Sequence, residues 1–365
     1  MNTPARVGIV GCGVISSAYA ENAAAFDAFE IVACADLDPR RSEELAREYG
    51  FVPMPIGELV ADPTIDVLLN LTPPVAHVEV IQAALGAGKH VYTEKPIATN
   101  DGAAAGMVAE SERLGLRIGC APDIFLGGAY QAARTLIDEG AIGEPLSASA
   151  AMLLGGQASW HPDPDIFFAD GAGPLLDMGP YYITAIVALL GPVRRVAGFA
   201  SMRTGDRTIE VGPRTGEVFR ASTPTHTTAA LELRSGATAT LVASFEAPSQ
   251  YVCDLQIYGS DGAIALPDPN NFGGSLRVRR GQGEWEDVRY ASLGPRECRG
   301  LGLSEMVDAI DAGRPHRASG QLGRHVVDVA RSILQSAAEG TAVEVEESAD
   351  QPAPLPVTMK APAAS

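Results

Sequence analysis

Three side chains in this sequence are suited to managing a proton during a redox step. Lys95 lies in Glu94-Lys95-Pro96, and Asp177 and Tyr181 lie in Asp177-Met178-Gly179-Pro180-Tyr181. A free phenol titrates near ~10, too high for an efficient base near neutrality. An ammonium beside it stabilises the phenolate and lowers that value. The same ammonium polarises a substrate oxygen, as an oxyanion stabiliser does. Asp177 would orient the lysine or a substrate hydroxyl. Converging on one pocket beside a nicotinamide, the three would support hydride transfer at a carbinol carbon.

A dinucleotide needs its own cradle, and Gly11-Cys12-Gly13-Val14-Ile15-Ser16 offers one. Gly11 permits a tight turn, and Gly13 lets a pyrophosphate reach backbone N–H groups at a helix start. Ser16 replaces the third glycine, a small residue that still allows close packing. Val14 and Ile15 complete the loop. Asp36 stands 20 residues past Ser16, where a carboxylate accepts from ribose hydroxyls and repels a 2′-phosphate. This favours NAD, while Arg40 and Arg41 leave NADP open. Thr72 and Pro73 follow a strand, and His77 opens the next helix near the cofactor ribose. Glu94 and Lys95 end the following strand at the same sheet edge.

The elements that would position these residues alternate strand and helix over the first 120 residues. Strands are expected over 6–10, 30–35, 65–71, 89–93 and 117–120. Helices are expected over 14–26, 39–49, 74–85 and from a cap at Asn100 or Asp101 to Leu114. The run at 65–71 is almost continuously apolar, as in a strand covered on both faces. Such alternation predicts a doubly wound parallel sheet. The pattern then changes. A helix over 128–138, a strand over 146–154, a long loop over 155–173 and one helix over 174–190 lead into strand-rich sequence to about 290. Strands at 227–233 and 237–245 flank Ser235-Gly236, the clearest hairpin signal. On a single helix, Asp177 and Tyr181 would share a face. Helices at 303–312 and 321–339 and a proline-rich tail complete the chain. The expected organisation is therefore a Rossmann domain over 1–122, an α+β domain with a mostly antiparallel sheet over 123–345, and a loose tail over 346–365.

Composition narrows the function. The 365 residues carry a formal charge of -18, which repels nucleic acid and anionic membranes. Apolar residues make up 46% and charged residues 20%, ordinary for a soluble globular chain. The five cysteines form no C-x-x-C pair and have no histidine at ligand spacing, so neither a metal site nor a disulfide framework is expected. The first strand begins almost at once and no apolar run is long enough to span a bilayer, so a cytoplasmic protein without leader or anchor is expected.

The glycine loop, the run from Asn70 through Thr72-Pro73-Pro74 to His77, Glu94-Lys95-Pro96 and the helix between Gly173 and Gly191 together resemble the glucose–fructose oxidoreductase / inositol dehydrogenase (Gfo/Idh/MocA) family. The resemblance covers nearly the whole chain. It implies a Rossmann domain, a C-terminal open-faced sheet used for oligomerisation as a dimer or tetramer, and NAD(P)-dependent redox chemistry on a sugar or polyol. Many members end the catalytic helix motif on histidine. Tyr181 takes that place here, similar to the glucose–fructose oxidoreductase and dihydrodiol dehydrogenase branches. Trp160 and His161 occupy the loop that often closes over cofactor and substrate in the family, and with Asp123 and Tyr182 they are candidates for the substrate rim. Two other readings stand beside the dehydrogenase: an enzyme that uses its cofactor transiently during sugar elimination or glycoside cleavage, and a non-catalytic ligand sensor.

Overall fold

Strands that are apolar on both faces need helices on both faces, and the first third of the chain supplies them alternately. A computed structural model describes residues 3–99, 101–247, 251–346 and 349–356. The first part runs β1 (Ala5–Val10), α1 (Val14–Asn22), β2 (Phe29–Ala35), α2 (Pro39–Tyr49), β3 (Val52–Pro53), α3 (Ile56–Ala61), β4 (Val67–Asn70), α4 (His77–Gly86), β5 (His90–Thr93), α5 (Asp101–Leu114) and β6 (Ile118–Cys120). All pairings among the six strands are parallel, in the order β3-β2-β1-β4-β5-β6. The order reverses between β1 and β4, and the crevice there is where open α/β sheets bind ligands. Val7, Ile9, Leu68, Leu69 and Val91 are fully buried between the helix layers.

The following part contains α6 (Gly128–Asp138), β7 (Pro145–Leu153), α7 (Pro174–Asp177), α8 (Gly179–Leu190), β8 (Val193–Ser201), β9 (Asp206–Thr208), β10 (Val218–Arg220), β11 (His226–Leu233), β12 (Thr238–Ser244), β13 (Val252–Gly259), β14 (Gly262–Leu266), β15 (Arg277–Arg280) and β16 (Glu286–Asp287). The chain ends its regular structure with α9 (Leu301–Asp311), α10 (Gly320–Glu339) and β17 (Val343–Glu344). Nine strands form one sheet in the order β16-β15-β14-β13-β7-β12-β11-β8-β17, while β9 and β10 pair separately. The sheet is antiparallel except where β7 meets β12. Burial alternates along β11 and β12, so one face carries the core. Every residue of α8 is buried, and this helix packs on β7 and β12.

Two compact units result, and their boundaries differ from a simple cut at residue 122. One unit is the chain up to Leu126 together with Leu293–Arg324, and the other is Gly127–Ser292 together with the chain from His325 onward. The return of 293–324 has a physical reason. β6 is an edge strand with unpaired backbone groups. The Cys120 N–H donates to the Ala318 carbonyl (2.9 Å), and Gly119 bridges to Ser319 in antiparallel fashion.

Several expected elements are shorter or divided. The helix over 14–26 stops at Asn22 and tightens into a 3-10 turn, and the one over 74–85 begins as a 3-10 turn before α4. The short pair β3 and α3 carries too little apolar periodicity to be expected. The single helix over 174–190 is broken at Met178, which separates α7 from α8. Pro180 explains the break, because it offers no N–H to the Leu176 carbonyl and its ring crowds that oxygen. Asp177 and Tyr181 therefore stand on two successive helices rather than on the single helix expected. The tail is not loose where it is described. Gln351 donates to the Ala188 carbonyl (3.1 Å), Arg134 to the Pro352 carbonyl (3.2 Å), and the Leu355 N–H to Gln131 (2.5 Å). Residues 347–348 and 357–365, and the expected cap at Asn100, lie outside the described residues.

Candidate active site

The glycine loop is shaped by what surrounds it. Gly11 has φ +97, and a Cβ there would sit 2.7 Å from the Leu71 carbonyl carbon and the Thr72 nitrogen. Only glycine lets β1 turn this close to the end of β4. Around Gly13 a Cβ would meet nothing within 4 Å, so the α1 N-terminus faces open space. No side chain caps that end, which leaves its N–H groups for an anion. Ser16 is buried and turns its hydroxyl back to the Gly13 carbonyl (2.6 Å), which satisfies it where a third glycine would stand.

Asp36 ties the loop to β2. Its carboxylate accepts from the Cys12 N–H (2.7 Å) and from the Asp38 N–H (2.9 Å). Each oxygen keeps lone-pair capacity for a ribose hydroxyl. Arg40 is engaged elsewhere: its guanidinium grips Asp38 at 3.0 and 2.7 Å and holds that carboxyl down to about 2. Asp38 also caps α2 by accepting from the Arg40 N–H. Val14, Leu37 and Val75 are strongly exposed apolar side chains beside the carboxyl ends of β1, β2 and β4. Exposed apolar groups around an open helix N-terminus suit a ligand with flat rings and a pyrophosphate, and these residues fit a dinucleotide. Leu37 and Val75 carry no sequence signal beyond following a strand end.

Lys95 stands half-buried at the end of β5, in a turn whose Lys95–Pro96 peptide is cis. Two neighbours hold this turn. The buried Glu94 carboxylate accepts from the Lys95 N–H (3.1 Å) and from the Tyr19 hydroxyl of α1 (3.0 Å). The fully buried His77 ring faces the Pro96 carbonyl through Nδ1 (2.6 Å) and the Thr72 carbonyl through Nε2 (2.8 Å). Carbonyls only accept, so the neutral ring donates to one of them according to its tautomer, and only the imidazolium donates to both. Burial pushes the imidazole below its ordinary range, against the pull of the two carbonyls and Glu94. The Thr72 hydroxyl donates to Asn70 (2.7 Å).

Asp123 is fully buried. It accepts from the Gly302 N–H (2.7 Å) and lies 3.7 Å from Arg299, while burial raises its pKa. A Cβ on Gly302 would collide with the Tyr92 hydroxyl at 2.2 Å, which shows how closely α9 approaches. Asp123 thus locks the returning segment rather than facing a ligand from an open rim.

In the second unit, Tyr181 is buried in the first turn of α8, and half-buried Asp177 ends α7. No sequence signal marks Gln157, whose buried amide donates to the Asp177 carboxylate at 2.7 Å. Tyr182 lies one residue on, a helical step of about 100°. It is fully buried and directs its hydroxyl to Asp268 (3.5 Å), with burial pushing the phenol upward. Trp160 is 60% exposed and meets the His161 ring edge-on at 5.5 Å. The His161 Nδ1 accepts from the Asp163 N–H (3.0 Å), leaving Nε2 as the outward nitrogen. Arg214 secures this loop through Asp165 (2.8 Å) and Asp163 (3.4 Å). Among the described residues, no group of three or more His, Cys, Asp or Glu side chains is placed to hold a metal ion, and no helix is long and apolar enough to cross a membrane.

A parallel sheet in this order, with an open glycine loop and a ribose-facing carboxylate at its switch point, defines a dinucleotide-binding protein. Residues 5–121 match the family model of the GFO/IDH/MocA oxidoreductase family, NAD-binding Rossmann fold, and residues 130–265 match the GFO/IDH/MocA C-terminal domain. The chain belongs to this family of NAD-binding oxidoreductases. It is 30% identical over 266 residues to dTDP-3,4-didehydro-2,6-dideoxy-alpha-D-glucose 3-reductase of Actinomadura kijaniata, covering 72% of this chain and 74% of that enzyme. To myo-inositol 2-dehydrogenase of Thermotoga maritima it is 23% identical, covering 94% and 99%. A solved structure of levoglucosan dehydrogenase in complex with NADH and L-sorbose shares the fold, with a TM-score of 0.81, 22% identity and coverage of 95% and 100%.

Proposed function

We propose that this protein is an NAD-dependent dehydrogenase or reductase acting at a carbinol or carbonyl carbon of a sugar or polyol. The single observation that carries the reading is the union of an open glycine loop with a lysine whose backbone turn is held by His77 and Glu94 at the same sheet edge. The two enzyme relatives act on a deoxysugar nucleotide and on a polyol, which supports carbohydrate as the substrate class. NAD, when bound, supplies the hydride acceptor or donor. Asp36 binds its ribose and disfavours a 2′-phosphate, and Arg40 is already committed to Asp38, which supports NAD over NADP.

In this reading Lys95 polarises the substrate oxygen, and Tyr181 exchanges the hydroxyl proton. Asp177, oriented by Gln157, accepts from a substrate hydroxyl. Trp160 and the outward nitrogen of His161 provide an apolar wall and a hydrogen-bond donor for a sugar ring. The protein works in the reducing cytoplasm, consistent with five free cysteines.

The open face of the nine-stranded sheet serves self-association as a dimer or tetramer. Ser149, Thr240, Ala230 and Ala197 lie side by side across β7, β12, β11 and β8, all exposed, with Phe199 79% exposed nearby. Small side chains across four strands let a second sheet approach closely, and Phe199 offers it an apolar anchor. The test of the catalytic reading is a cofactor-reduction screen over aldoses, polyols and glycosides with NAD and NADP in parallel. NADH formation with at least one member is expected. Tight NAD binding without reduction across the panel would favour the sensor, and substrate cleavage without net NADH would favour the transient-redox enzyme.

A further inference from the structure

The Lys95 turn is held from two sides, and one of the holders stands on the helix that opens at the glycine loop. A lysine ammonium sits at the end of four flexible bonds, so its placement depends on a fixed backbone beneath it. On one side His77 grips the Pro96 carbonyl at 2.6 Å. On the other, Glu94 accepts from the Lys95 N–H and from the Tyr19 hydroxyl, at 3.1 and 3.0 Å. The Glu94 N–H in turn donates to the Asn70 carbonyl (2.9 Å), which ties the turn to β4. Tyr19 is 1% exposed and Glu94 9% exposed, so water does not readily replace the phenol as a donor.

We propose that Tyr19 is a positioning residue for Lys95, acting through the Glu94 carboxylate. Without the Tyr19 hydroxyl, the Glu94 Oε1 loses its donor in a buried place. A buried carboxylate left short of donors takes up a proton or turns toward the nearest cation. Lys95 follows Glu94 directly in the chain, and the other charged or titratable groups acting on this pocket are His77, Asp123 and Arg299, the last lying 3.7 Å from Asp123. Either outcome changes the field at the ammonium and loosens the turn, while the glycine loop and Asp36 keep their own contacts. The consequence falls on turnover and on its pH profile rather than on cofactor affinity.

The inference rests on the proposed role of Lys95, and Lys95→Met tests that role separately. The experiment compares wild type, Lys95→Met and the nearly isosteric Tyr19→Phe for NADH affinity by fluorescence, for kcat, and for the pH dependence of kcat. The expected result for Tyr19→Phe is a kcat roughly 10-fold lower, a displaced limb of the pH profile, and an NADH Kd within about 3-fold of wild type. An unchanged kcat and pH profile, with only a lowered melting temperature, would overturn the proposal. So would a loss of NADH affinity in step with turnover, because Tyr19 would then act on the cofactor. If Lys95→Met keeps full turnover, the catalytic reading itself fails, whatever Tyr19→Phe does. Should Tyr19→Phe not fold, Glu94→Gln removes the carboxylate from the same position, and the same shift in kcat and pH profile is expected; its absence overturns the proposal.

Discussion

The two candidate regions are held by different means. In the first unit the functional groups stand at strand ends or at the start of the following helix, and most are fixed by side chains bonded to the backbone: Asp36 to Cys12, His77 to Pro96, Glu94 to Lys95, with Tyr19 reaching Glu94 as the exception. In the second unit they stand on a broken helix and a long loop, held by side chains meeting side chains: Gln157 to Asp177, Arg214 to Asp165, and an aromatic group of Trp160, His161 and Phe167. Backbone-fixed cradles suit a ligand that does not vary. Side-chain-built rims can change residue by residue, which suits a substrate that differs between relatives.

If the contrast is right, damage to the glycine loop or to Asp36 strikes cofactor binding as a whole, and damage to the side-chain contacts around Asp177 adjusts substrate handling. The largest effect is expected for Gly11→Ala. Its Cβ would meet the Leu71 and Thr72 backbone at 2.7 Å in a left-handed conformation, so NADH binding by fluorescence should be abolished or reduced at least ~100-fold. Retained affinity would show that the loop is not the cradle. Next comes Asp36→Ala, which removes the acceptor for two loop N–H groups and for the ribose. Calorimetry should find NAD affinity lowered roughly 10- to 100-fold, with NADP affected less. An equal loss for both cofactors would remove Asp36 as the source of preference.

Much of this difference is legible in the sequence. Gly11, Gly13, Asp36 and Lys95 fall at strand ends, where short-range spacing and a strand-to-helix switch define position. Five strands of the six-stranded sheet follow from apolar runs alternating with amphipathic ones, while the two-residue β3 leaves no such signal. The second region is legible in content but not in shape. Pro180 breaks the helix expected to align Asp177 with Tyr181, although the apolar run around that proline reads as continuous helix. Gln157 and Tyr19 escape notice because each acts across a separation in sequence, 20 residues to Asp177 and 75 to Glu94, with no local pattern to mark the pair. Asp123 and Tyr182 look like site residues because polar groups near motifs invite that reading. Both are fully buried and bonded within the fold.

Smaller effects sharpen the comparison further. Gln157→Ala removes the donor that orients Asp177, and steady-state kinetics should show KM for substrate raised about 10-fold with NAD affinity unchanged. A change in NAD affinity instead would blur the division between the regions. The smallest effect concerns stability. Burial depresses the pKa of His77, His90 and His316 in the folded protein. As pH falls below the unfolded value of about 6.5, the unfolded chain takes up protons first. Stability should then decline by up to about 1.4 kcal/mol per pH unit for each histidine, until its folded pKa is reached. Urea titrations at neutral and mildly acidic pH measure this slope, and His316→Gln should flatten it; a stability independent of pH in that window would contradict the assignment.

The central claim is that Lys95 and Tyr181 perform the chemistry while the glycine loop merely holds the cofactor. Single-turnover formation of NADH, followed by nicotinamide absorbance on the best substrate of the screen, tests it in wild type, Lys95→Met and Tyr181→Phe. Rates at least ~100-fold lower are expected in both variants, with NADH affinity close to wild type. Wild-type rates in either variant would contradict it.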